Sequence, residues 1–196
     1  MFRIAIVALL TLMISPALVA AAPSPTSSDG APVTDVRTDC LAAPAPVGGA
    51  VPALVCVAGG VSIEIVCAQT GSDAVDCTGL ASWNASAWSP ASLPGYAEYQ
   101  GGSTISWCPP TEPYCRSIGV GYNLMQCTWT VPGGACASGP QNWTFELGRI
   151  VVPTGDCVTL TLDGFVYAQA SPLVGRNVVG TAKVLYDLET ERTVCL

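Results

Sequence analysis

The sequence predicts an all-β protein: an antiparallel β-sandwich, or a barrel-like single domain, that disulfides reinforce and that carries long ordered loops. Three observations lead to this fold class. Apolar and polar residues alternate in several successive segments, no segment after the N-terminus has an apolar period near 3.6, and the chain contains 10 cysteines. Alternation indicates half-buried strands, because successive side chains of a strand point to opposite faces of its sheet.

The N-terminal segment has the organisation of a secretory signal peptide. Arg3 gives it a cationic start, an apolar run covers residues 4–13, and small residues follow at 19–22. The apolar run is shorter than the roughly 20 residues that span a bilayer, so we expect cleavage after Ala21 and no membrane span afterwards. The chain is therefore predicted to have a signal peptide at 1–21 and to be secreted into the extracellular space.

Residues 22–39 are rich in Pro, Ser and Thr and lack periodicity, which predicts an exposed, extended leader. The predicted β domain covers residues 40–196. Its first strands are expected at 54–57 and 61–67, because these apolar runs flank Gly59 and Gly60, and a Gly-Gly pair between β-like runs indicates a hairpin turn.

Further strands are predicted where alternation returns, at 118–124, 143–147, 158–162 and 178–186. Residues 78–116 differ from these segments. They hold many Trp and Tyr residues among Ser, Gly and Pro without sustained alternation, so we expect an aromatic-rich region of long ordered loops there.

All of the cysteines lie beyond the predicted signal peptide, and their even number predicts that they pair in disulfides in an exported chain. Three short loops enclose turn residues and are the expected bridges: Cys67–Cys77, Cys108–Cys115 and Cys127–Cys136. Cys157–Cys195 is the long-range candidate. The predicted disulfide cysteines are Cys40, Cys56, Cys67, Cys77, Cys108, Cys115, Cys127, Cys136, Cys157 and Cys195.

The composition excludes several classes of function. The chain has 7 basic and 14 acidic residues, a formal charge of −7 and no histidine. We expect no nucleic-acid partner, because such proteins need a basic face. Without histidine there is no Ser-His-Asp triad, and without Cys-x-x-Cys pairs there is no recognisable metal site, so we predict neither a metal nor a cofactor.

Paired carboxylates are the enzymatic chemistry that the composition leaves open, since glycoside hydrolysis needs only two of them at a suitable separation. None of the candidate acids belongs to a motif, so we expect a non-enzymatic protein. The candidates are Glu64, Glu98, Glu112, Glu146 and Asp163.

Candidate ligand-binding residues lie in the aromatic-rich region. Flat rings among polar neighbours suit sugars and protein epitopes, and the alternative is that these rings fill the core. The candidates are Trp83, Trp88, Tyr96 and Tyr99. Asn84 and Asn142 begin sequons, which makes both candidate N-glycosylation sites.

Charged residues make up only 11% of the chain, and few lysines are present to protect strand edges against edge-to-edge pairing. This favours self-association, or docking on an extracellular protein or glycan partner. The extended segment 23–39 is a candidate to add to a neighbour's sheet edge as an extra strand, although its prolines favour only a partial fit. The expected function is a secreted structural or binding module, such as a subunit of a surface or filamentous assembly. The alternatives are a carboxylate-dependent carbohydrate-active enzyme or glycan-binding protein, and a secreted inhibitor or toxin-like protein that presents the Cys108–Cys115 loop.

Overall fold

The chain forms two antiparallel β-sheets that pack face to face, so the predicted all-β sandwich is confirmed. A computed structural model describes residues 26–27, 30–42, 53–91, 93–120, 124–130, 134–174 and 177–196. The described residues include no helix, and therefore none that could cross a membrane. The predicted signal peptide at 1–21 lies outside them.

Sheet A has the strand order β1-β12-β10-β5-β6. β7 also pairs with β5, at residues 95–99, whereas β6 pairs with residues 103–107, and β11 pairs with the end of β10. Neighbours are antiparallel except for the short β1, which runs parallel to β12. The strands of sheet A are β1 Thr26–Ser27, β5 Gly95–Trp107, β6 Arg116–Val120, β7 Met125–Trp129, β10 Cys157–Val174, β11 Asn177–Val178 and β12 Ala182–Cys195.

Sheet B has the order β2-β3-β4, and β8 and β9 both pair with β4 along its other edge. Its strands are β2 Val33–Ala42, β3 Ala53–Gln69, β4 Ala74–Trp88, β8 Ala135–Ala137 and β9 Gln141–Val151.

The core lies between the sheets and is built from alternate residues of the long strands. Ile63 and Ile65 of β3 belong to the same buried cluster as Leu160 and Leu162 of β10, and each is at most 1% exposed. Because every second residue of β10 faces inward, the intervening residues form the outer face of sheet A.

The predicted loop region at 78–116 is wrong for most of its length, since residues 78–88 belong to β4 and 95–107 to β5. The inward-facing residues of β4 are mostly small, for example Gly79, Ala81 and Ala85. Their contrast in hydropathy with the intervening Ser and Asn residues is weak, so the alternation is hard to detect. Within this region the chain lies outside the strands at residues 89–91 and 93–94, after β4, and at 108–115, between β5 and β6.

Gly59 and Gly60 do not form the predicted hairpin turn, because both lie inside the continuous strand β3. Close packing explains them instead. A Cβ atom on Gly59 would lie 3.1 Å from Cγ1 of Val166, and one on Gly60 would lie 2.9 Å from Oδ1 of Asn84. The chain reverses between β3 and β4 at residues 70–73.

The predicted leader is only partly correct, because residues 33–39 are extended but form most of β2, the edge strand of sheet B. Tyr186 of β12 in sheet A joins this edge strand to the opposite sheet, because its hydroxyl donates to the carbonyl oxygen of Asp35 in β2. Its hydroxyl accepts the N–H of Val61 at 3.1 Å and lies 3.0 Å from the carbonyl oxygen of Gly59, and Arg37 of β2 lies over its ring at 4.6 Å. Residues 33–39 therefore pair within their own chain along one edge of β2, and their addition to a neighbouring molecule stays a prediction.

Five disulfides close the fold, and they include all four bridges predicted from the sequence. The fifth is Cys40–Cys56. Three of them join residues that lie directly opposite each other on antiparallel strands: Cys40–Cys56, Cys67–Cys77 and Cys157–Cys195. A set of this size is typical of a chain that folds in an oxidising compartment.

Candidate functional site

Two of the four aromatic residues predicted to bind ligand belong to the core. Trp83 is 2% exposed and Tyr99 is 1% exposed. The Trp83 ring packs against Gly101 of the opposite sheet, where a Cβ atom would lie 2.5 Å from the ring. The hydroxyl of Tyr99 donates to the carbonyl oxygen of Cys136 at 3.0 Å. The ligand-binding prediction is wrong for both residues, because strand alternation points them inward.

The other two predicted residues are half-buried and face outward, but on opposite sides of the molecule. Trp88 has the outward parity of β4 in sheet B, whereas Tyr96 has the outward parity of β5 in sheet A. The four residues therefore do not form one patch. Tyr96, however, lies in a different cluster that sequence analysis missed.

This cluster lies on the outer face of sheet A, where β5 and β10 run side by side. In the antiparallel register Glu98 is opposite Gln169, and Gln100 is opposite Tyr167. All its members are half-buried and have the outward parity of their strands. We call them the sheet A patch: Tyr96, Glu98, Gln100, Phe165, Tyr167 and Gln169.

Hydrogen bonds centred on Glu98 join the polar members of the sheet A patch. Oε2 of Glu98 accepts the hydroxyl of Tyr96 at 2.8 Å and Nε2 of Gln169 at 3.2 Å. Oε1 accepts Nε2 of Gln100 at 3.3 Å, and the hydroxyl of Tyr167 donates to Oε1 of Gln169 at 2.6 Å. The network fixes donors, acceptors and two phenol rings on one rigid surface.

The protonation state of both phenols follows from this environment. Partial burial raises the pKa of Tyr96 and of Tyr167, and the negative charge of Glu98 raises both further. Both hydroxyls therefore remain protonated well above neutral pH and keep donating within the network.

Phe165 extends the sheet A patch along β10. It is opposite Gly102 of β5, and its ring lies so close that a Cβ atom on Gly102 would be 2.5 Å from Cε1. The absence of a side chain at Gly102 therefore allows the Phe165 ring to pack directly against the backbone of β5. A strand advances about 3.4 Å per residue, so the rings of Phe165 and Tyr167 are attached about 7 Å apart along the face.

A row of carboxylates continues the same face beyond Phe165. Asp163 is directly opposite Glu189 of β12, so the two carboxyl groups are cross-strand neighbours on this face. Burial raises the pKa of Asp163 to about 6, and the charge of Glu189 adds to the effect, with smaller contributions from Asp187 and Glu191. Asp163 therefore holds a proton under mildly acidic conditions.

Asp163 and Glu189 are the two carboxylates that the register places directly opposite each other. Cβ atoms of such cross-strand neighbours lie about 5 Å apart, so a carboxylate-dependent enzyme stays an alternative prediction. Glu98 and Asp163 lie on one face, but the register separates them by six residues, which is about 20 Å along the strands. Glu64 and Glu146 have the outward parity of sheet B, and Glu112 forms an ion pair with Arg116.

A cavity of about 90 Å³ lies beside the Cys108–Cys115 loop, between Trp107, Leu147 and Ile150. Its two arginines, Arg116 and Arg149, are each paired with a carboxylate. The volume is well below the approximately 300–1,000 Å³ of typical small-molecule sites. The cavity therefore offers neither the room nor the free charge of a ligand site.

The two sequons lie on the opposite side of the molecule from the sheet A patch. Asn84 in β4 and Asn142 in β9 are both exposed and have the outward parity of sheet B. Asn142 pairs with Ser82, two residues from Asn84, so the asparagines are diagonal neighbours. Their glycosylation stays a prediction, and glycans there would leave the outer face of sheet A uncovered.

Comparison of the chain with protein-family models, curated proteins and solved structures finds no match. Within the described ranges no three His, Cys, Asp or Glu side chains are grouped so as to hold a metal ion.

Proposed function

We propose that this protein is a secreted, non-enzymatic extracellular binding module, and that the sheet A patch binds a saccharide chain. The observation that carries the proposal is the network around Glu98, which holds Tyr96 and Tyr167 on an outward sheet face. Sugar rings stack their C–H faces on aromatic rings, and their hydroxyls exchange hydrogen bonds with fixed amide and carboxylate groups.

The shape of the surface also supports a chain over a single sugar. From Tyr96 to Phe165 the face extends over three same-side steps, about 20 Å, with aromatic and amide groups along it. Each sheet has a disulfide between neighbouring strands, Cys40–Cys56 in sheet B and Cys157–Cys195 in sheet A. These bridges favour a rigid module for extracellular use.

A saccharide array probed with the purified full chain tests the proposal. We expect binding by the native protein and its loss in Tyr96→Ala/Tyr167→Ala, because both stacking rings are then absent. Trp88→Ala is the matched control, since it removes an aromatic residue from the outer face of sheet B. Equal binding by the native protein and the double variant, or no binding to any saccharide, would overturn the proposal.

Self-association is a second candidate function, and the edge of β12 favours it. In the described part of the chain, no strand pairs with residues 184–188 of that edge, which lie between the contact of Lys183 with Asp39 and the short strand β1. Leu185, which is 65% exposed, lies in this stretch. Unpaired edges are templates for a second chain. Light scattering at increasing protein concentration tests this function: a discrete oligomer supports it, and a monomer throughout overturns it.

A further inference from the structure

We infer that the saccharide bound by the sheet A patch is an amino sugar polymer whose free amines are protonated. The inference rests on the proposed function and adds the charge of the ligand. It is argued from the charges of the whole outer face of sheet A, together with the position of Glu98 between two phenol rings.

The outer face of sheet A is strongly acidic. Among the described residues with outward parity on β5, β10 and β12, Lys183 supplies the one cation. The carboxylates on the same strands and the same side are Glu98, Asp163, Asp187, Glu189 and Glu191. A cationic ligand complements this surface, and an anionic one is repelled by it.

Glu98 is placed to receive the first amine. Tyr96 and Gln169 both donate to its Oε2. Among the described residues Gln100 alone donates to Oε1, at 3.3 Å, which leaves capacity for another donor. An ammonium group there meets a carboxylate flanked by phenol rings, a combination of charge-assisted hydrogen bonding and cation–π attraction.

The carboxylate row offers further positions for amines along the same chain. Asp163 lies two residues beyond Phe165, so aromatic stacking and charge follow each other on one strand. Like charges directly opposite each other destabilise a sheet, and Asp163 is opposite Glu189. An amine near this pair relieves the repulsion, which Asp187 and Glu191 of β12 increase.

A basic peptide is the rival ligand, and the surface favours it less. Peptides commonly bind by adding a strand to a sheet edge, whereas the sheet A patch lies on a face, in the middle of the sheet between β12 and β6. Flat rings and side-chain amides on such a face offer a sugar chain both stacking and hydroxyl partners.

Calorimetric titration of the full chain tests the inference with three probes of equal length: β-linked glucosamine, its fully N-acetylated form, and a neutral glucose oligomer. At about pH 6 the amines are charged, as are most carboxylates. We expect the glucosamine oligomer to bind at least tenfold more tightly than the other two, and added salt to reduce this preference.

Glu98→Gln keeps the size of the side chain and removes its charge, so it is expected to reduce the preference for glucosamine severalfold. Glu146→Gln on the outer face of sheet B is the matched control and should leave it unchanged. Equal binding of the three saccharides overturns the inference and leaves the proposed function standing. Tighter binding of polylysine than of glucosamine also overturns it, and binding of no saccharide overturns both proposals.

Discussion

The hydroxyl of Tyr96 donates to Oε2 of Glu98 at 2.8 Å, and Gln169 from the neighbouring strand donates to the same oxygen. This contact joins two residues of one strand to a third residue on the neighbouring strand, on the outer face of sheet A. It sets the orientation of the Tyr96 ring and of the Glu98 carboxylate together. Substitutions of individual side chains distinguish a role in saccharide binding from a role in the stability of the fold.

Removing only the Tyr96 hydroxyl should weaken binding without unfolding the protein. Tyr96→Phe keeps the ring but leaves Glu98 with one donor fewer, and a half-buried hydrogen bond contributes about 1 kcal/mol. We expect saccharide affinity to fall severalfold in calorimetric titration. Tyr114→Phe, at a tyrosine that is 78% exposed in the Cys108–Cys115 loop, is the control and should bind normally. An unchanged affinity in Tyr96→Phe would contradict a role for the network.

Truncating Trp83 should destabilise the fold, because its ring fills the space above Gly101. Large aromatic-to-alanine changes in a core cost about 3–5 kcal/mol. Urea unfolding of Trp83→Ala is expected to show a loss of this size, whereas Trp88→Ala on the outer face loses much less. A Trp83→Ala protein of native stability that no longer binds ligand would restore the binding role predicted from the sequence.

The stability of the fold should decrease as the pH rises through the pKa of Asp163. Because the pKa is raised to about 6 in the folded chain, the native state holds this proton more strongly than the unfolded state. The contribution is fully present below the ordinary aspartate pKa of about 4 and is lost as the pH rises through about 6. Solvent screening of this partly exposed group reduces its size to about 1 kcal/mol.

Thermal unfolding between about pH 4 and pH 7 measures this effect against Asp163→Asn. We expect the difference in stability between the native protein and the variant to shift in favour of the variant as the pH rises. Glu64→Gln on sheet B is the control. Parallel pH profiles for the native protein and Asp163→Asn would refute the coupling between Asp163 and Glu189.

The disulfide that closes the longest loop should contribute the most stability. Cys157–Cys195 has a sequence separation of 38, and Cys108–Cys115 one of 7. Loop-closure entropy gives about 4 kcal/mol for the first and about 2.5 kcal/mol for the second. Guanidinium unfolding of the two double-serine variants measures the difference. A larger loss from removing Cys108–Cys115 would show that the entropy of the unfolded chain is not the main effect.

The sequence predicts the strands whose inward residues are large and apolar. Val158, Leu160 and Leu162 alternate with threonines, and this alternation predicts a strand where β10 lies. The sequence does not predict β4, because Gly79, Ala81 and Ala85 face the core, where one large ring, Trp83, fills the space that small residues leave. Strong alternation in hydropathy therefore indicates a strand but is not required for one.

The sheet A patch could be predicted only in part. Continuing the parity of β10 past Leu162 would have placed Phe165, Tyr167 and Gln169 outward, which is a local signal. Their partners on β5 depend on the long-range register that sets Glu98 opposite Gln169. Nothing local in the sequence specifies that pairing. The sequence therefore identifies Glu98 as a candidate acid but does not identify it as a binding residue.

The central claim, that the outer face of sheet A binds the ligand, is tested most directly by amide chemical-shift mapping of the full chain with a glucosamine oligomer. We predict saturable shifts at residues 96–100 of β5 and 165–169 of β10, with the outer face of sheet B unchanged. Shifts centred on Trp88, on the Cys108–Cys115 loop or on the edge of β12 would contradict the claim.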